Sequence, residues 1–257
     1  MKTIISHFYN EEYLLPWWLK HHKQLFDHGI MVNYGSTDNS VNIIKEICPG
    51  WEIIDSTNES FDAFLVDQEI ERIERNVTGW RITLNTTEFL FGDITYLDRL
   101  DIERADFLIA SYPIIESPAT EFETFNHDQK LITSKNFGID PYVSNSNFKI
   151  RRARKLSNYF SNYPLGRHYE SYNTKDFMIL WYGYAPYNEE LIERKIQIQN
   201  KMPISDKVSG RGVQHLTDRE KLLNELHNTF QPNSKDISTV INNFVGKMEK
   251  NMGYTVV

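Results

Sequence analysis

The sequence predicts an α/β domain in which helices flank a mostly parallel central sheet. Through the first half of the chain, short apolar segments alternate with amphipathic helical stretches, which is the pattern of repeated strand–helix–strand units. The chain has 257 residues, of which 40% are hydrophobic and 25% charged, as is ordinary for a globular α/β protein. We expect one domain over residues 1–230 and a C-terminal helical extension over residues 231–257.

The elements of the first half follow from residue type and spacing. Segments rich in β-branched and apolar residues predict the strands Lys2–Phe8, Gly29–Asn33, Trp51–Asp55, Trp80–Leu84 and Phe107–Tyr112. Apolar residues at helical spacing predict helices over Glu11–Phe26, Asn39–Ile47 and Phe61–Asn76.

The second half has weaker periodicity and fewer clear elements. Phe148–Ile150 predicts a strand that the basic run Arg151–Lys155 ends. We interpret that run as a solvated strand edge, with an anionic acceptor or a membrane surface as the alternatives. Helices are predicted over Glu189–Asn200, Asp218–Asn228 and Ile237–Lys250.

Composition narrows the classes of partner and the cellular location. The net charge of −7 argues against nucleic acid, which requires a concentrated basic face. Cys48 is the single cysteine, so neither an intrachain disulfide nor a cysteine-based zinc site is expected. The N-terminal segment turns polar too early for a signal peptide, and no apolar run approaches a transmembrane segment. We therefore expect a cytoplasmic protein, and the sequence makes no prediction about its oligomeric state.

Polar residues follow the first, second and fourth predicted strands. These loops are Tyr9–Glu12, Asn33–Asp38 and Asn85–Glu88. Because ligands of open α/β sheets bind at the carboxyl ends of the strands, the three loops together predict a binding site at one edge. Each loop alone also fits a turn or a helix start, since Ser, Thr, Asp and Asn cap free backbone amides there.

In this order, the loops resemble those of family 2-like glycosyltransferases. Asn10-Glu11-Glu12 is similar to the Asn-Glu-Glu loop of that family, and Val32–Ser40 resembles its "DDGSTDGT"-like turn. Trp80–Leu90 looks like the family's strand end with Asp-x-Asp-Glu-Phe-Leu. The resemblance covers residues 1–112 and implies the donor-binding residues Asn10, Glu12, Asn33, Tyr34, Asp38, Asn85, Thr87 and Glu88.

The resemblance also implies a fold and a reaction. The fold is GT-A, and the donor is a nucleotide sugar. The acceptor is a glycan, a lipid-linked saccharide or another hydroxyl compound, as in polysaccharide biosynthesis. Transfer in this family most often inverts the anomeric carbon.

The chain departs from the family where the family binds its metal. Asn85-Thr86-Thr87 stands in place of Asp-x-Asp, and neutral Asn and Thr are poor ligands for Mn²⁺ or Mg²⁺. If one of these ions is a cofactor, Glu88 and His215 are its candidate ligands. The alternative is a diphosphate site without a tightly bound metal.

Cations in the second half predict that metal-free diphosphate site. Lys207, Arg211 and His215 lie in and around a glycine-rich segment, and Arg167-His168 forms a second cationic pair. Such side chains can neutralise a leaving diphosphate. Ordinary solvated charges remain the alternative explanation for Lys207 and Arg211.

An inverting transfer needs a carboxylate to take the proton of the acceptor hydroxyl. The candidates are Asp206, Glu189 and Glu190, and we rank Asp206 first because it lies beside Lys207 in the glycine-rich polar segment. Glu189 and Glu190 also fit the first turn of a helix, where carboxylates compensate the helix dipole.

Two other functions compete with transfer. A GT-A-like module could bind a sugar or nucleotide without turning it over, and loss of the Asp-x-Asp favours this alternative. A nucleotidyltransferase would need a glycine-rich phosphate loop after the first strand, where this chain has Tyr9-Asn10-Glu11; we set that hypothesis aside.

Overall fold

The computed structural model describes residues 1–100, 106–118, 126–141, 150–155, 164–167, 169, 173–212 and 215–257. Their strands are β1 (Lys2–Phe8), β2 (His28–Asn33), β3 (Glu52–Asp55), β4 (Trp80–Thr83), β5 (Glu88–Gly92), β6 (Asp106–Ile115), β7 (Phe137–Gly138), β8 (Ile150–Lys155), β9 (Phe177–Tyr184) and β10 (Lys235–Asp236). The α-helices are α1 (Leu15–His22), α2 (Ser40–Ile47), α3 (Ala63–Arg75), α4 (Leu131–Ser134), α5 (Glu189–Gln197), α6 (Ile204–Ser209), α7 (Arg219–Glu225) and α8 (Ser238–Met252).

The sheet is mixed, which corrects the prediction of a mostly parallel sheet. Its order is β10-β7-β6-β8-β4-β1-β2-β3, and β9 joins β6 to β5. Strands β1 to β4 pair in parallel, whereas β8 is antiparallel to both β4 and β6, and β5 is antiparallel to β9. A parallel pair needs a long crossover, usually a helix, and the sequence predicts no helix between β4 and Glu189, the stretch that contains β5 to β9. Of these later strands, β6 and β9 pair in parallel.

The predicted elements of the first half are confirmed, within a few residues at their ends, and two strands of the site were missed. The basic run Arg151–Lys155 lies within β8 rather than ending a strand. Strands β5 and β9 were not predicted, although nearly all of their residues are buried. A continuous apolar run such as Phe177–Tyr184 is typical of a strand that is covered on both faces.

The core lies between the sheet and helices α1 and α8. Ile241, Val245 and Met248 of α8 join the same buried cluster as the strands, and Tyr254 follows them into it. The C-terminal segment 231–257 therefore packs on the sheet that carries the site. No helix in the described ranges is long and apolar enough to span a bilayer.

Two adjacent buried histidines of α1, His21 and His22, make the stability of this core depend on pH. His21 Nε2 donates to the Leu90 carbonyl and its Nδ1 accepts from the Tyr254 hydroxyl. His22 Nδ1 donates to the Trp18 carbonyl, and its Nε2 accepts from the Leu90 amide. Burial lowers the pKa of His21 to about 4 and the pKa of His22 well below its ordinary value. A proton on His22 Nε2 would face the Leu90 N–H, so both rings are held neutral.

We expect the free energy of unfolding to fall as the pH drops from about 6.5 toward 4. The histidines of the unfolded chain then bind protons, whereas the buried histidines of the folded protein stay unprotonated. At pH 5, His21 alone should cost about 2 kcal/mol of unfolding free energy relative to pH 7.5. Urea unfolding across this pH range measures the effect, and His21→Phe should flatten the profile while lowering stability at pH 7.5. An equally steep profile in that variant would contradict the assignment.

Candidate functional site

A cleft of ≈ 490 Å³ opens where β1 and β4 end. β1 contributes His7, and the loop after β4 contributes Asn85 and Thr87. Later elements close the other sides with Asp67 of α3, Arg151 of β8, Gly166, Arg167, Trp181 of β9, Arg194 of α5, Asp206 of α6, Arg211 and His215. The predicted carboxyl edge of the sheet therefore borders a cleft, and the second half of the chain supplies most of the charged walls.

A buried ion pair joins the first residue of β5, Glu88, to Arg151 of β8. Arg151 donates from Nε to Glu88 Oε2 at 2.9 Å and from Nη2 to Glu88 Oε1 at 2.8 Å. Glu88 Oε2 also accepts from the Asn85 amide at 2.9 Å. Both charged side chains are buried, so the interpretation of Arg151 as a solvated strand-edge residue is wrong. The residue lies in an inner strand whose partners on both sides exclude water.

The same guanidinium holds an unusual turn in place. Gly166 and Arg167 both have left-handed backbone conformations, with φ of 70° and 57°, and such a conformation is uncommon for a residue with a side chain. Arg151 Nη1 donates to both of their carbonyls, at 2.7 and 2.9 Å. These bonds stabilise the turn that directs the Arg167 side chain into the cleft.

Arg167 is the buried cation at the centre of the cleft. Its Nη1 pairs with Asp67 Oδ1 at 2.5 Å, and its Nη2 donates to Asn85 Oδ1 at 3.2 Å and approaches His7 Nδ1 at 3.4 Å. Within the described residues, the buried Nε has no hydrogen-bond acceptor. The guanidinium is therefore fixed by three neighbours and keeps a donor unused.

The neighbours of Arg167 have shifted pKa values. Burial lowers the pKa of His7 well below its ordinary value, and the positive charges of Arg167 and Arg151 lower it further. The ring is therefore neutral, and because Nδ1 faces the Arg167 donor, Nε2 carries the proton. Burial raises the pKa of Asp67, while Arg167 and the Gly166 amide oppose that shift.

These contacts decide whether residues 85–88, where the resemblance places an Asp-x-Asp, fit a divalent cation. Asn85 Oδ1 faces one guanidinium and Glu88 faces another. A metal ion here would lie beside two fixed positive charges and would lack the carboxylates that Mn²⁺ and Mg²⁺ prefer. Across the described ranges, no three His, Cys, Asp or Glu side chains converge as a metal site. The donor set at residues 85–88 does not fit Mn²⁺ or Mg²⁺.

The structure separates the predicted diphosphate-binding residues. Arg167, Arg211 and His215 line the cleft, and Arg211 Nε lies 2.8 Å from Asp206 Oδ1. Lys207 is exposed and is not among the residues that line the cleft. His168 lies outside the described residues.

Only one of the three candidate bases borders the cleft. Asp206 is buried in the first turn of α6, where its Oδ2 accepts from the Ala63 amide at 2.9 Å. Glu189 is exposed and pairs with Arg219, which lowers the pKa of its carboxyl. Glu190 accepts from Asn188 Nδ2 and borders a second cleft of ≈ 620 Å³.

Two residues of the predicted donor turn are engaged in contacts behind the cleft. Asn33 donates from Nδ2 to Asp55 Oδ1 and accepts the Ser36 amide on Oδ1. The Tyr34 hydroxyl donates to Glu69 Oε2 at 2.6 Å. The Tyr34 ring stacks on Phe61, 4.6 Å between centroids, and Phe61 lines the cleft. Asn33 and Tyr34 thus support the wall without lining it.

The other predicted donor residues hold the first two loops together. Asn10 Oδ1 accepts the Thr37 amide at 2.8 Å, and Glu12 Oε2 accepts the Asn39 amide at 2.9 Å. Asp38 Oδ2 accepts the Glu12 amide at 3.0 Å. These side chains border the second cleft. The loop Tyr9–Glu12 and the turn after β2 therefore lie together as predicted, and hydrogen bonds from side chains to backbone amides join them.

The site residues predicted from the sequence leave out several residues of the cleft, among them His7, Asp67, Arg151, Arg194 and Trp181. Trp181 of β9 pairs with Glu88 of β5 in the sheet, and its ring lies over Gly183. A Cβ at residue 183 would come within 2.3 Å of that ring. The glycine is therefore needed for the tryptophan to lie where it does.

Gly183→Ala should displace the Trp181 ring and destabilise the protein by about 1–3 kcal/mol, because the added methyl overpacks a wall of the cleft. Tryptophan fluorescence, near-ultraviolet circular dichroism and urea unfolding report the change. Gly246→Ala in α8 is the matched control, since its Cβ meets nothing within 4 Å; it should stabilise by about 0.5–1 kcal/mol. Unchanged spectra and stability for Gly183→Ala would refute this account of the wall.

No family model matches the chain, and no curated protein matches it. Solved structures similar to it include S. aureus TarS 1-349, at 10% identity and a TM-score of 0.35, covering 60% of this chain and 46% of that one. A complex of TarS 1-349 with UDP-GlcNAc matches at 11% identity and a TM-score of 0.32, covering 51% of this chain and 38% of that one.

Glucosyl-3-phosphoglycerate synthase from Mycobacterium tuberculosis, in complex with Mn²⁺, UDP and glucosyl-3-phosphoglycerate, matches at 12% identity and a TM-score of 0.31. The match covers 44% of this chain and 44% of the synthase. The chain thus spans less than half the length of these structures.

Proposed function

We propose that this protein is a GT-A-type glycosyltransferase, which moves a sugar from a nucleoside-diphosphate sugar to a glycan, a lipid-linked saccharide or another hydroxyl acceptor, with inversion. The observation that carries the proposal is the charge of the cleft. Five arginine and lysine side chains line it against three carboxylates, and Glu88 pairs with Arg151 as a fourth, so an excess of one positive charge remains at this cleft in a chain with a net charge of −7. Positive charge gathered in one cleft of an acidic protein favours an anionic ligand.

The arrangement of the cleft suits a diphosphate. The fixed guanidinium of Arg167, with its unused Nε donor, can bind phosphate oxygens in the planar geometry that arginine favours. Arg211 and His215 border the same cleft. These cations would supply the charge neutralisation that Asp-x-Asp enzymes obtain from a metal ion.

Aromatic rings line the cleft beside these cations. His7 and Tyr9 lie near Phe61, with ring centroids 5.7 and 6.2 Å apart, and all three line the cleft. Such faces offer a stacking surface for a base, and Trp181 offers one for a sugar. The neutral His7 also presents a donor at Nε2.

In the proposed reaction, the acceptor oxygen attacks the anomeric carbon and forms the new glycosidic bond. The bond from that carbon to the diphosphate oxygen breaks, and its electron pair leaves with the nucleoside diphosphate. Asp206 takes the proton of the acceptor hydroxyl. Its partner Arg211 is half-exposed, so a bound diphosphate can draw the guanidinium away and leave the carboxylate free to act as base.

Release of nucleoside diphosphate from a panel of UDP-, GDP-, CDP- and dTDP-sugars tests the proposal. Asp206→Asn should lower release by a factor of about 10²–10⁴, the usual contribution of a general base, while nucleotide affinity stays within a few-fold. Glu190→Gln, on the second cleft, should leave both unchanged. A normal rate of nucleoside diphosphate release in Asp206→Asn would show that Asp206 is not the general base.

A module that binds a sugar or nucleotide without transfer is the second candidate. One observation favours it: the three carboxylates of the cleft, Glu11, Asp67 and Asp206, are each paired with an arginine. In that case nucleotides would bind in the cleft, but no donor in the panel would be hydrolysed or transferred.

A further inference from the structure

Glu69 of α3 is a buried carboxylate that lies behind the cleft and does not line it. Its ion pair within the described ranges is with Arg72, at 3.7 Å, and the Arg72 side chain is 65% exposed. Burying a carboxylate without a close, buried cation costs free energy unless hydrogen bonds replace those that water made. The residues around Glu69 supply such bonds.

Five hydrogen bonds converge on this carboxylate. Its Oε2 accepts from the hydroxyls of Tyr34 and Ser56, both at 2.6 Å, and from Asn58 Nδ2 at 3.2 Å. Its Oε1 accepts from the amide and the hydroxyl of Thr57, at 3.0 and 3.1 Å. Burial raises the pKa of Glu69, but these hydrogen bonds outweigh that effect, so the pKa lies below its ordinary value and the group is ionised at neutral pH.

The donors belong to two loops at the edge of the sheet that carries the site. Tyr34 follows β2, and Ser56, Thr57 and Asn58 follow β3, which is the parallel neighbour of β2. A buried polar network in which every member has its partners fixes the groups that it joins. Glu69 therefore fixes both loops, and the Tyr34 ring with them, relative to α3.

The Tyr34 ring carries this constraint to the cleft. It stacks on Phe61, with 4.6 Å between the centroids and 26° between the ring planes, and Phe61 lines the cleft. Phe61 is partly buried, and its amide donates to the Lys201 carbonyl at 2.9 Å. The ring that borders the cleft thus rests on a second ring, and the hydroxyl of that second ring is bound by Glu69.

We infer that Glu69 is a positioning residue for the nucleotide, because through Tyr34 it holds Phe61 as a fixed wall against which the base packs. The inference rests on the proposed function, since it needs a nucleotide in the cleft. A ring that is already in place favours stacking, whereas a loose ring would have to be ordered on binding. Loss of Glu69 should therefore weaken the binding of the base and leave the binding of the diphosphate unchanged.

Calorimetric titration with the nucleoside diphosphate that binds best, and with inorganic pyrophosphate, separates these two parts of the ligand. Glu69→Gln keeps the size of the side chain but places an amide donor where the carboxylate accepts. It should weaken nucleoside diphosphate binding by about 5- to 20-fold and pyrophosphate binding by less than about twofold. Glu71→Gln is the matched control, because Glu71 is also buried on α3 but pairs with Arg75. It should bind both ligands like the wild type.

A double-mutant cycle with Phe61 tests how the effect reaches the ligand. Phe61→Leu removes the aromatic wall and should itself weaken nucleotide binding more than pyrophosphate binding. If Glu69 acts through Phe61, adding Glu69→Gln to Phe61→Leu should lower the nucleotide affinity no further. Thermal melting shows whether each variant folds. If Glu69→Gln does not fold, Tyr34→Phe replaces it, since removing one hydroxyl should give a smaller loss with the same selectivity.

The outcomes separate the role of Glu69 from the proposed function. The role is wrong if Glu69→Gln, or Tyr34→Phe in its place, binds the nucleotide like the wild type or loses pyrophosphate binding equally. It is also wrong if the effect of Glu69→Gln adds in full to that of Phe61→Leu. In these cases the wild type still binds a nucleotide, so the proposed function stands. If the wild type binds no nucleoside diphosphate, the proposed function fails and the positioning role fails with it.

Discussion

Arg151→Met is expected to lower the free energy of unfolding by about 3–5 kcal/mol, because it leaves a buried carboxylate without its cation. Glu88 is buried and faces Arg151 with both oxygens. The Gly166–Arg167 turn would lose two of its hydrogen bonds at the same time. Urea or thermal unfolding measures the loss.

Two variants distinguish the loss of the buried Arg151–Glu88 ion pair from a general destabilisation of β8. Combining Glu88→Gln with Arg151→Met removes both charges and should cost less than Arg151→Met alone. Arg152→Met changes the next residue of β8, which is partly exposed and pairs with Asp106 at 3.4 Å, and should cost about 1 kcal/mol or less. If Arg151→Met is as mild as Arg152→Met, the role given to the buried pair is wrong.

Arg167→Met is expected to weaken binding of a nucleoside diphosphate by about 10- to 150-fold, since hydrogen bonds to charged groups contribute roughly 1.5–3 kcal/mol. Arg167→Lys should recover only part of the affinity, because an ammonium does not reproduce the planar guanidinium. Isothermal titration calorimetry with the diphosphate that binds best gives the affinities.

The controls for Arg167 address folding and charge. Arg167→Met leaves Asp67 buried without its partner, so the same titration on Asp67→Asn with Arg167→Met shows the effect in a protein without that unpaired charge. Lys207→Met removes an exposed cation that does not line the cleft and should bind like the wild type. Equal losses of nucleotide affinity in Lys207→Met and Arg167→Met would mean that the net charge of the protein, and not contacts in the cleft, determines the affinity.

Local sequence signals predicted the first half of the fold and the meeting of its loops. Strands β1 to β4 and the helices between them follow from apolar periodicity, and Asn10, Glu12 and Asp38 do converge. What periodicity cannot show is how those side chains use their hydrogen-bonding groups. In the structure they bond to neighbouring loop amides.

The charged walls of the cleft were the harder part to predict, because each depends on contacts between distant residues. Arg151 lies 63 residues from Glu88 along the chain, and Arg167 lies 100 residues from Asp67. Within their own segments Arg151 and Asp67 have the pattern of solvated charges, whereas Glu88 and Arg167 were predicted as site residues without their partners. The antiparallel placement of β8 brings Arg151 to Glu88, and the turn at Gly166 brings Arg167 to Asp67, in the interior of the protein.

The most direct test of the central claim is calorimetric titration of the protein with UDP, GDP, CDP and dTDP, each in the presence of Mn²⁺ and again with EDTA. Our account predicts that one nucleotide binds with the same affinity in both conditions, because arginine side chains neutralise its diphosphate. Binding that disappears with EDTA would contradict metal-free recognition, and no binding in either condition would contradict a nucleotide cleft.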